Sequence, residues 1–167
     1  KDSTTQIVTV INCGNLSLSA TPTNILCNGQ CTGTGTATAT GGTSPYTYIW
    51  TGGQTTQTAT SLCVGAYVVI VTDAAGATTT ATIVITQPAA ITATLSSTSA
   101  TCGINNGTAT VTAIGGTPGY TYAWSLGGGT NASATGLTAG NYSVMVTDAN
   151  GCTGTQTVTV TSSSAIT

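Results

Sequence analysis

Thr alternates with small or apolar residues along most of the chain. The runs TGTGTATAT at 32–40, TATIVIT at 80–86, TATVTAI at 108–114 and TQTVTVT at 155–161 each put Thr on one side of an extended backbone. Ala, Val, Ile or Gly fall on the other side. A period of two marks a strand buried on one face, and β-branched Thr, Val and Ile suit a pleated surface. No stretch holds a helical period over ten residues. Strands are expected near 16–20, 33–40, 46–51, 55–60, 66–72 and 78–86. A small extra strand near the Gly-Gly turn brings each repeat to about seven.

The punctuation between these runs specifies turns. Asp73-Ala74-Ala75-Gly76 and Asp148-Ala149-Asn150-Gly151 begin with Asp and end with Gly. That suits a type I turn closed by a residue of positive φ. Gly41-Gly42 and Gly115-Gly116 precede a Pro and an aromatic strand. Antiparallel strands joined in this way build a two-sheet sandwich. Trp50 and Trp124 stand on the third strand, and Gly-x-Tyr corners at Tyr67 and Tyr142 precede the long apolar strand. A Trp on strand C and a Tyr at the E–F corner are landmarks of immunoglobulin-like sandwiches. The expected fold is all-β, with tandem immunoglobulin-like (PKD-like) β-sandwich repeats. Trp50, Trp124, Tyr67 and Tyr142 are assigned to the core. Tyr46, Tyr48, Tyr120 and Tyr122 alternate with Trp along the strand, so some are expected to be exposed as contact residues.

The chain repeats itself. GGTSPYTYIW at 41–50 matches GGTPGYTYAW at 115–124, and SLCVGAYVVIVTDAAG at 61–76 matches GLTAGNYSVMVTDANG at 136–151. The unit is about 75 residues long. TQIVTV at 5–10 matches TQTVTV at 155–160, two periods later. The predicted organisation is therefore 1–15, the last strand of a preceding repeat or a strand donated to a neighbour; 16–90, repeat 1; and 91–167, repeat 2 plus the start of a following one. Donation onto an open sheet edge is an established association mode. The connection Gln87-Pro88-Ala89-Ala90 is short and semi-rigid, which predicts a rod.

Composition narrows the function. Among 167 residues there are 42 Thr, 22 Gly, 21 Ala and 14 Ser, and no His, Arg, Glu or Phe. The charged residues are Lys1, Asp2, Asp73 and Asp148. A nucleic-acid partner needs a basic surface, zinc sites and catalytic triads normally need His, and phosphate clamps need Arg or Lys. No apolar run approaches the roughly 18 residues of a membrane-spanning helix. No signal peptide is visible and the chain does not begin with Met, so a mature or trimmed piece of a longer array is expected. Edge strands usually rely on charge to avoid pairing with neighbours. These strands carry Thr instead, which predicts contact between identical subunits or glycosylated hydroxyls.

Six cysteines, Cys13, Cys27, Cys31, Cys63, Cys102 and Cys152, show no CxxC spacing and read as disulfides in an oxidising compartment. Repeat 2 holds only Cys102 and Cys152, which are paired on that ground, for about 3–4 kcal/mol. In repeat 1 Ala77 stands where Cys152 would be, so Cys13 is paired with Cys27 and Cys31 with Cys63. A thin sandwich of this size gains much from such staples.

The order C-x-G, then G-G-x-x-P/G-Y-x-Y-x-W, then L-x-x-G-x-Y-x-V-x-V-T-D-A-x-G, then alternating Thr/Val, resembles the SprB-type repeat. Cys102, Gly115, Gly116, Tyr120, Trp124, Leu137, Gly140, Tyr142, Asp148, Gly151 and Cys152 carry the resemblance in repeat 2. Repeat 1 departs at Ala77 and adds Cys31 and Cys63. That family occurs in giant secreted cell-surface adhesins of gliding and related Bacteroidota. The resemblance implies export by the type IX route, display as extracellular filaments, roles in adhesion and gliding motility, and no catalytic residues.

Other candidate chemistry is sparse. Asp73 and Asp148 are repeat-equivalents and are read as turn formers; a carboxylate pair would have to meet across two repeats. A calcium site normally collects several carboxylates. No metal site and no cofactor is expected. Asn-x-Ser/Thr sequons begin at Asn15, Asn106, Asn131 and Asn141, and Asp2-Ser3-Thr4 resembles the Bacteroidota O-glycosylation signal, which makes Ser3 a candidate acceptor. The Thr rows read first as solvent faces, then as packing surfaces, then as binding surfaces for polysaccharide or ice; ice needs a flat sheet and sandwich sheets twist. The expectation is a non-catalytic structural or adhesive repeat module of an extracellular, cell-surface filament. Its partners would be adjacent repeats and identical subunits. The alternative is a carbohydrate-binding module that uses exposed Tyr and Thr rows on a surface polysaccharide.

Overall fold

In the computed structural model, which describes residues 14–163, each alternating run is a strand with its small or apolar face turned inward. The first unit holds β1 (Ser17–Thr23), β2 (Gly33–Thr40), β3 (Thr47–Trp50), β4 (Thr58–Leu62), β5 (Gly65–Thr72) and β6 (Thr78–Ile85). They form two antiparallel sheets of order β1-β2-β4 and β3-β5-β6. The second unit holds β7 (Thr92–Thr98), β8 (Ala100–Thr101), β9 (Gly107–Ile114), β10 (Thr121–Trp124), β11 (Ser133–Leu137), β12 (Gly140–Thr147), β13 (Thr153–Val160) and β14 (Ser162–Ser163). Its main sheets run β11-β9-β7 and β10-β12-β13, and the short strands β8 and β14 pair in parallel. No described residue is helical.

Each core lies between the inner faces of its two sheets. In the first unit Ala37, Ala59 and Leu62 of one sheet oppose Trp50, Val69, Val71, Ile83 and Ile85 of the other, all buried. In the second, Ala109, Val111, Ala134 and Leu137 oppose Trp124, Tyr142, Val144, Val146 and Val160. The residues of β2 and β9 that face inward are Gly, Ala or Val, and this lets the sheets approach closely. A Cβ on Gly33 would lie 2.7 Å from Ile85 Cγ2, and one on Gly107 would lie 2.7 Å from Val160 Cγ1. The outward face carries Thr. Thr36 and Thr58 hydroxyls pair across strands at 3.2 Å, as do Thr110 and Ser133 at 3.1 Å, so part of the hydroxyl surface is satisfied internally.

The structure departs from the strand pattern expected of the sequence in three places. The first unit has six strands, and none forms at Gly41-Gly42. The fourth strand starts at Thr58 because residues 51–57 wrap Trp50. Its backbone N–H donates to Gln54 O at 2.8 Å, and its indole Nε1 donates to Thr56 O at 2.9 Å. The third departure is in the division of the chain. The first unit takes residues up to 24 and then 31–85, while residues 25–30 belong with the second unit, which continues from Thr86. There Ile25 N–H donates to Thr86 O at 3.0 Å, Asn28 Nδ2 donates to Pro88 O at 2.9 Å, and Gly29 N–H donates to Gln87 Oε1 at 2.9 Å. The expected frame of 16–90 is thus interrupted. Residues 1–13, on which the donated-strand reading, Cys13 and Ser3 fall, lie outside the described residues.

Candidate functional site

The two internal acids occupy equivalent corners. Asp148 follows β12 and opens the turn into β13. Its Oδ2 accepts the N–H of Thr117 at 2.8 Å, and its Oδ1 accepts those of Asn150 and Cys152, both at 2.9 Å. Asp73 does the same with Thr43 at 2.8 Å, Ala75 at 3.0 Å and Ala77 at 2.8 Å. The turn backbone closes behind each carboxylate: Gly76 N–H donates to Asp73 O and Gly151 N–H to Asp148 O, both at 3.0 Å. Each side chain therefore ties the β5–β6 type of turn to the loop after the Gly-Gly pair, two segments about 30 residues apart in sequence. Gly42 and Gly116 make room for it. Both have positive φ, 62° and 61°, and a Cβ on either would lie 2.6 Å from the Asp Oδ2.

The hydrogen bonds set the charge state. The Thr43 N–H is the largest influence holding the Asp73 carboxyl below its ordinary value; burial opposes it, and the N–H groups of Ala77, Ala75 and Gly76 add to the lowering. Asp148 is held low in the same way, first by Thr117, against burial, then by Cys152, Asn150 and Gly151. Donated hydrogen bonds favour the ionised form. These are structural anions, spent on backbone donors.

The aromatic residues are also committed to the fold. Trp50 and Trp124 are buried, and the Trp124 indole donates to Asn131 O at 2.9 Å. Tyr142 is buried, with its hydroxyl donating to Thr138 O at 3.1 Å; this is the tyrosine corner. Tyr67 makes the matching bond to Cys63 O at 3.2 Å but is only half-buried, which corrects its assignment to the core. Tyr46, Tyr48, Tyr120 and Tyr122, the candidate contact residues, are neither fully buried nor fully exposed. They share the parity of Trp50 and Trp124, and side chains two residues apart in a strand share a face. All four are half-buried, and the hydroxyls of Tyr46 and Tyr120 donate to Gly41 O and Gly115 O. The exposed apolar residues of this region are their neighbours of opposite parity, Ile49 and, across the strand pair, Ile70. The four tyrosines thus lie on the same strand face as Trp50 and Trp124.

The cysteines pair differently from the repeat-by-repeat expectation. Cys31 is bonded to Cys63, with Cα atoms 4.0 Å apart. Cys27 is bonded to Cys152 across 125 residues of sequence, with Cα atoms 5.5 Å apart, and Cys102 is exposed and free. The expected Cys13–Cys27 and Cys102–Cys152 pairs are thereby corrected. The physical reason is the placement of residues 25–30 in the second unit, which sets Cys27 beside the residue directly after the Asp148–Gly151 turn. Nothing in the cysteine spacing signals this; only the hydrogen bonds of Ile25, Asn28 and Gly29 reveal it. Among the described residues no group of three or more His, Cys, Asp or Glu side chains could hold a metal ion.

Two stacked antiparallel sheets, a Trp on the third strand and a Tyr corner in each repeat make this a tandem immunoglobulin-like β-sandwich protein. The SprB repeat model matches residues 19–55 and 94–129, one stretch in each repeat, consistent with the SprB-type repeat family. No curated protein matches it. Among solved structures it is similar to the C-terminal 282-residue fragment of intimin, crystallised with the intimin-binding domain of the translocated intimin receptor. That likeness has 16% identity and a TM-score of 0.48, and covers 89% of this chain and 64% of that one. It is also similar to the N-terminal eight Ig domains of Down syndrome cell adhesion molecule (11%, TM-score 0.36, covering 87% and 25%). The S-layer protein rSbsC(31-844) is a third (16%, TM-score 0.36, covering 91% and 28%). The chain thus spans under two thirds of the intimin fragment and about a quarter of the other two.

Proposed function

We propose that the chain is a non-catalytic, load-bearing segment of an extracellular cell-surface filament, of the kind used for adhesion and gliding by Bacteroidota that export through the type IX route. Adjacent repeats and identical subunits are its partners. The SprB repeats support the setting. The mechanical role rests on one observation, the Cys27–Cys152 disulfide with its sequence separation of 125 residues. A pull applied to the chain before Cys27 and after Cys152 passes through that bond. The strands from β2 to β12 lie inside the covalent loop and are shielded from extension.

The surface is consistent with such a role. Thr153, Thr155, Thr157 and Thr159 of β13 are all exposed, where an ordinary strand would carry Lys or Glu. Immunogold labelling of intact cells with antibody to this chain is the test. Label along thin external filaments, lost together with surface attachment when the gene is deleted, is the expected result. Label only after permeabilisation would overturn the reading.

A further inference from the structure

Cys102 is the free cysteine among the described residues, and it is exposed. Its surroundings repeat those of Cys27. Just before each cysteine a buried apolar residue donates its N–H to the carbonyl that follows the last strand of a repeat. Ile25 donates to Thr86 O at 3.0 Å and Ala100 to Thr161 O at 2.9 Å. Donors and acceptors are each 75 positions apart (100 − 25 and 161 − 86). A tight turn follows in both places, with Gly29 and Gly103 at φ of 78° and 77°. The turn bond runs from Gln30 N–H to Cys27 O and from Ile104 N–H to Thr101 O, so Cys102 stands within one residue of the place of Cys27. One residue is about 3.8 Å of chain, and disulfides accept Cα separations over roughly 4.4–6.8 Å. Asn106 braces the loop: its Oδ1 accepts Thr101 N–H at 2.8 Å and its Nδ2 donates to Thr101 Oγ1 at 3.0 Å.

In the first repeat the cysteine at this place is bonded to Cys152, the residue directly after an Asp-x-x-Gly turn. We propose that Cys102 is a linking cysteine that forms the same disulfide with the cysteine directly after the Asp-x-x-Gly turn of a further SprB-type repeat. Cys152 is already engaged by Cys27, and Ala77 occupies the corresponding position in the first repeat. The acceptor is therefore another repeat, on the same polypeptide or on a second one. The chemistry balances through thiol–disulfide exchange. The two thiols lose two protons and two electrons to become one S–S bond, and a small-molecule or protein disulfide is reduced to two thiols by way of a mixed disulfide. The inference needs only a repeat of the same kind, so it stands or falls separately from the cell-surface reading.

The test restores the missing acceptor. Ala77 is exposed, so Ala77→Cys leaves the core untouched. In a Cys13→Ser background under oxidised glutathione, the Ala77→Cys chain should form a ladder of disulfide-linked oligomers on non-reducing electrophoresis. Peptide mapping should join Cys102 to position 77. The ladder should form at least tenfold faster than with Ala75→Cys, an exposed control in the same turn, and Cys102→Ser should abolish it. Equal rates for the two variants, or links that bypass Cys102, would overturn the proposal. So would a Cys13–Cys102 disulfide in the peptide map of the native chain. In native material, a Cys102 peptide joined to an Asp-x-x-Gly-Cys peptide supports it. Unchanged non-reducing mass then assigns the acceptor to the same polypeptide, and a raised mass assigns it to a second one.

Discussion

Oδ2 of Asp148 accepts the backbone N–H of Thr117 at 2.8 Å, across 31 residues of sequence, and Asp73 holds Thr43 at the same distance. Both carboxyls have a lowered folded-state pKa, chiefly through that one bond. As pH falls, the unfolded chain therefore takes up protons first, near the ordinary value of about 3.9. The stabilisation is complete above that value and is lost as pH falls through the lower folded-state value. Thermal melts should be flat from about pH 7 to pH 5 and should drop below about pH 4. The double variant Asp73→Asn/Asp148→Asn should melt about 5–10 °C lower at pH 7 and show a shallower acid arm. An acid arm as steep as that of the unaltered chain would assign the pH dependence elsewhere.

Tyr142 and Tyr67 make the same corner bond in different surroundings. Tyr142 is 4% exposed and its hydroxyl also meets Thr138 Oγ1 at 3.0 Å. Tyr67 is half-buried and water can replace its bond to Cys63 O. Leaving a buried acceptor unpaired costs more than losing a solvated bond. Tyr142→Phe should destabilise by about 1 kcal/mol and Tyr67→Phe by less than about 0.5 kcal/mol, read from denaturant midpoints. Equal losses would show that the two corners are alike in solution.

The Cys27–Cys152 bond makes a mechanical prediction. In single-molecule pulling from the two chain ends, the oxidised protein should extend only by the residues outside the loop. Reduction should release a further contour length on the order of 400 Å, from the 125-residue separation at about 3.4 Å per residue. Under the corrected pairing Cys102→Ser leaves both traces unchanged, and Cys27→Ser cuts the difference to the roughly 110 Å still held by the Cys31–Cys63 bond, from its 32-residue separation at about 3.4 Å per residue. A change on Cys102→Ser would restore the pairing of Cys102 with Cys152.

Much of this fold is legible in the chain because its determinants are local. Thr alternation gives the strands, Asp-x-x-Gly gives the turns, and offsets of 74 and 75 residues give the repeat. The errors arise where a tertiary choice decides. Tyr46 and Tyr48 share the parity of Trp50, so counting residues along the strand puts them on its face, but how far each is covered depends on the loops around it. The placement of residues 25–30 in the second unit depends on the bonds of Ile25, Asn28 and Gly29, and no local pattern encodes it. The disulfide error follows from that one displacement. The Asp corners are legible as turns as far as local sequence reaches. Their longer bonds to Thr43 and Thr117 depend on how strands of one sandwich come together.

The two repeats also disagree at one backbone position, and the disagreement is testable. β4 and β11 each carry a register shift against their neighbours β2 and β9. In the second repeat the residue of positive φ there is Gly136, at 69°; 75 positions earlier the first repeat has Ser61, at 56°. The left-handed region costs an ordinary L-residue roughly 1–2 kcal/mol, and Gly visits it freely. Ser61 is exposed, so its replacement removes no core contact. Against the relief stands the greater freedom that Gly gives the unfolded chain, roughly 0.5–1 kcal/mol. The balance favours Gly. Ser61→Gly should stabilise the protein by about 0.5 kcal/mol, raising the denaturant midpoint without changing the slope. The reverse exchange, Gly136→Ser, should lower it by a comparable amount. A loss on Ser61→Gly would mean that the hydroxyl-bearing residue holds the bulge by an interaction that outweighs its strain.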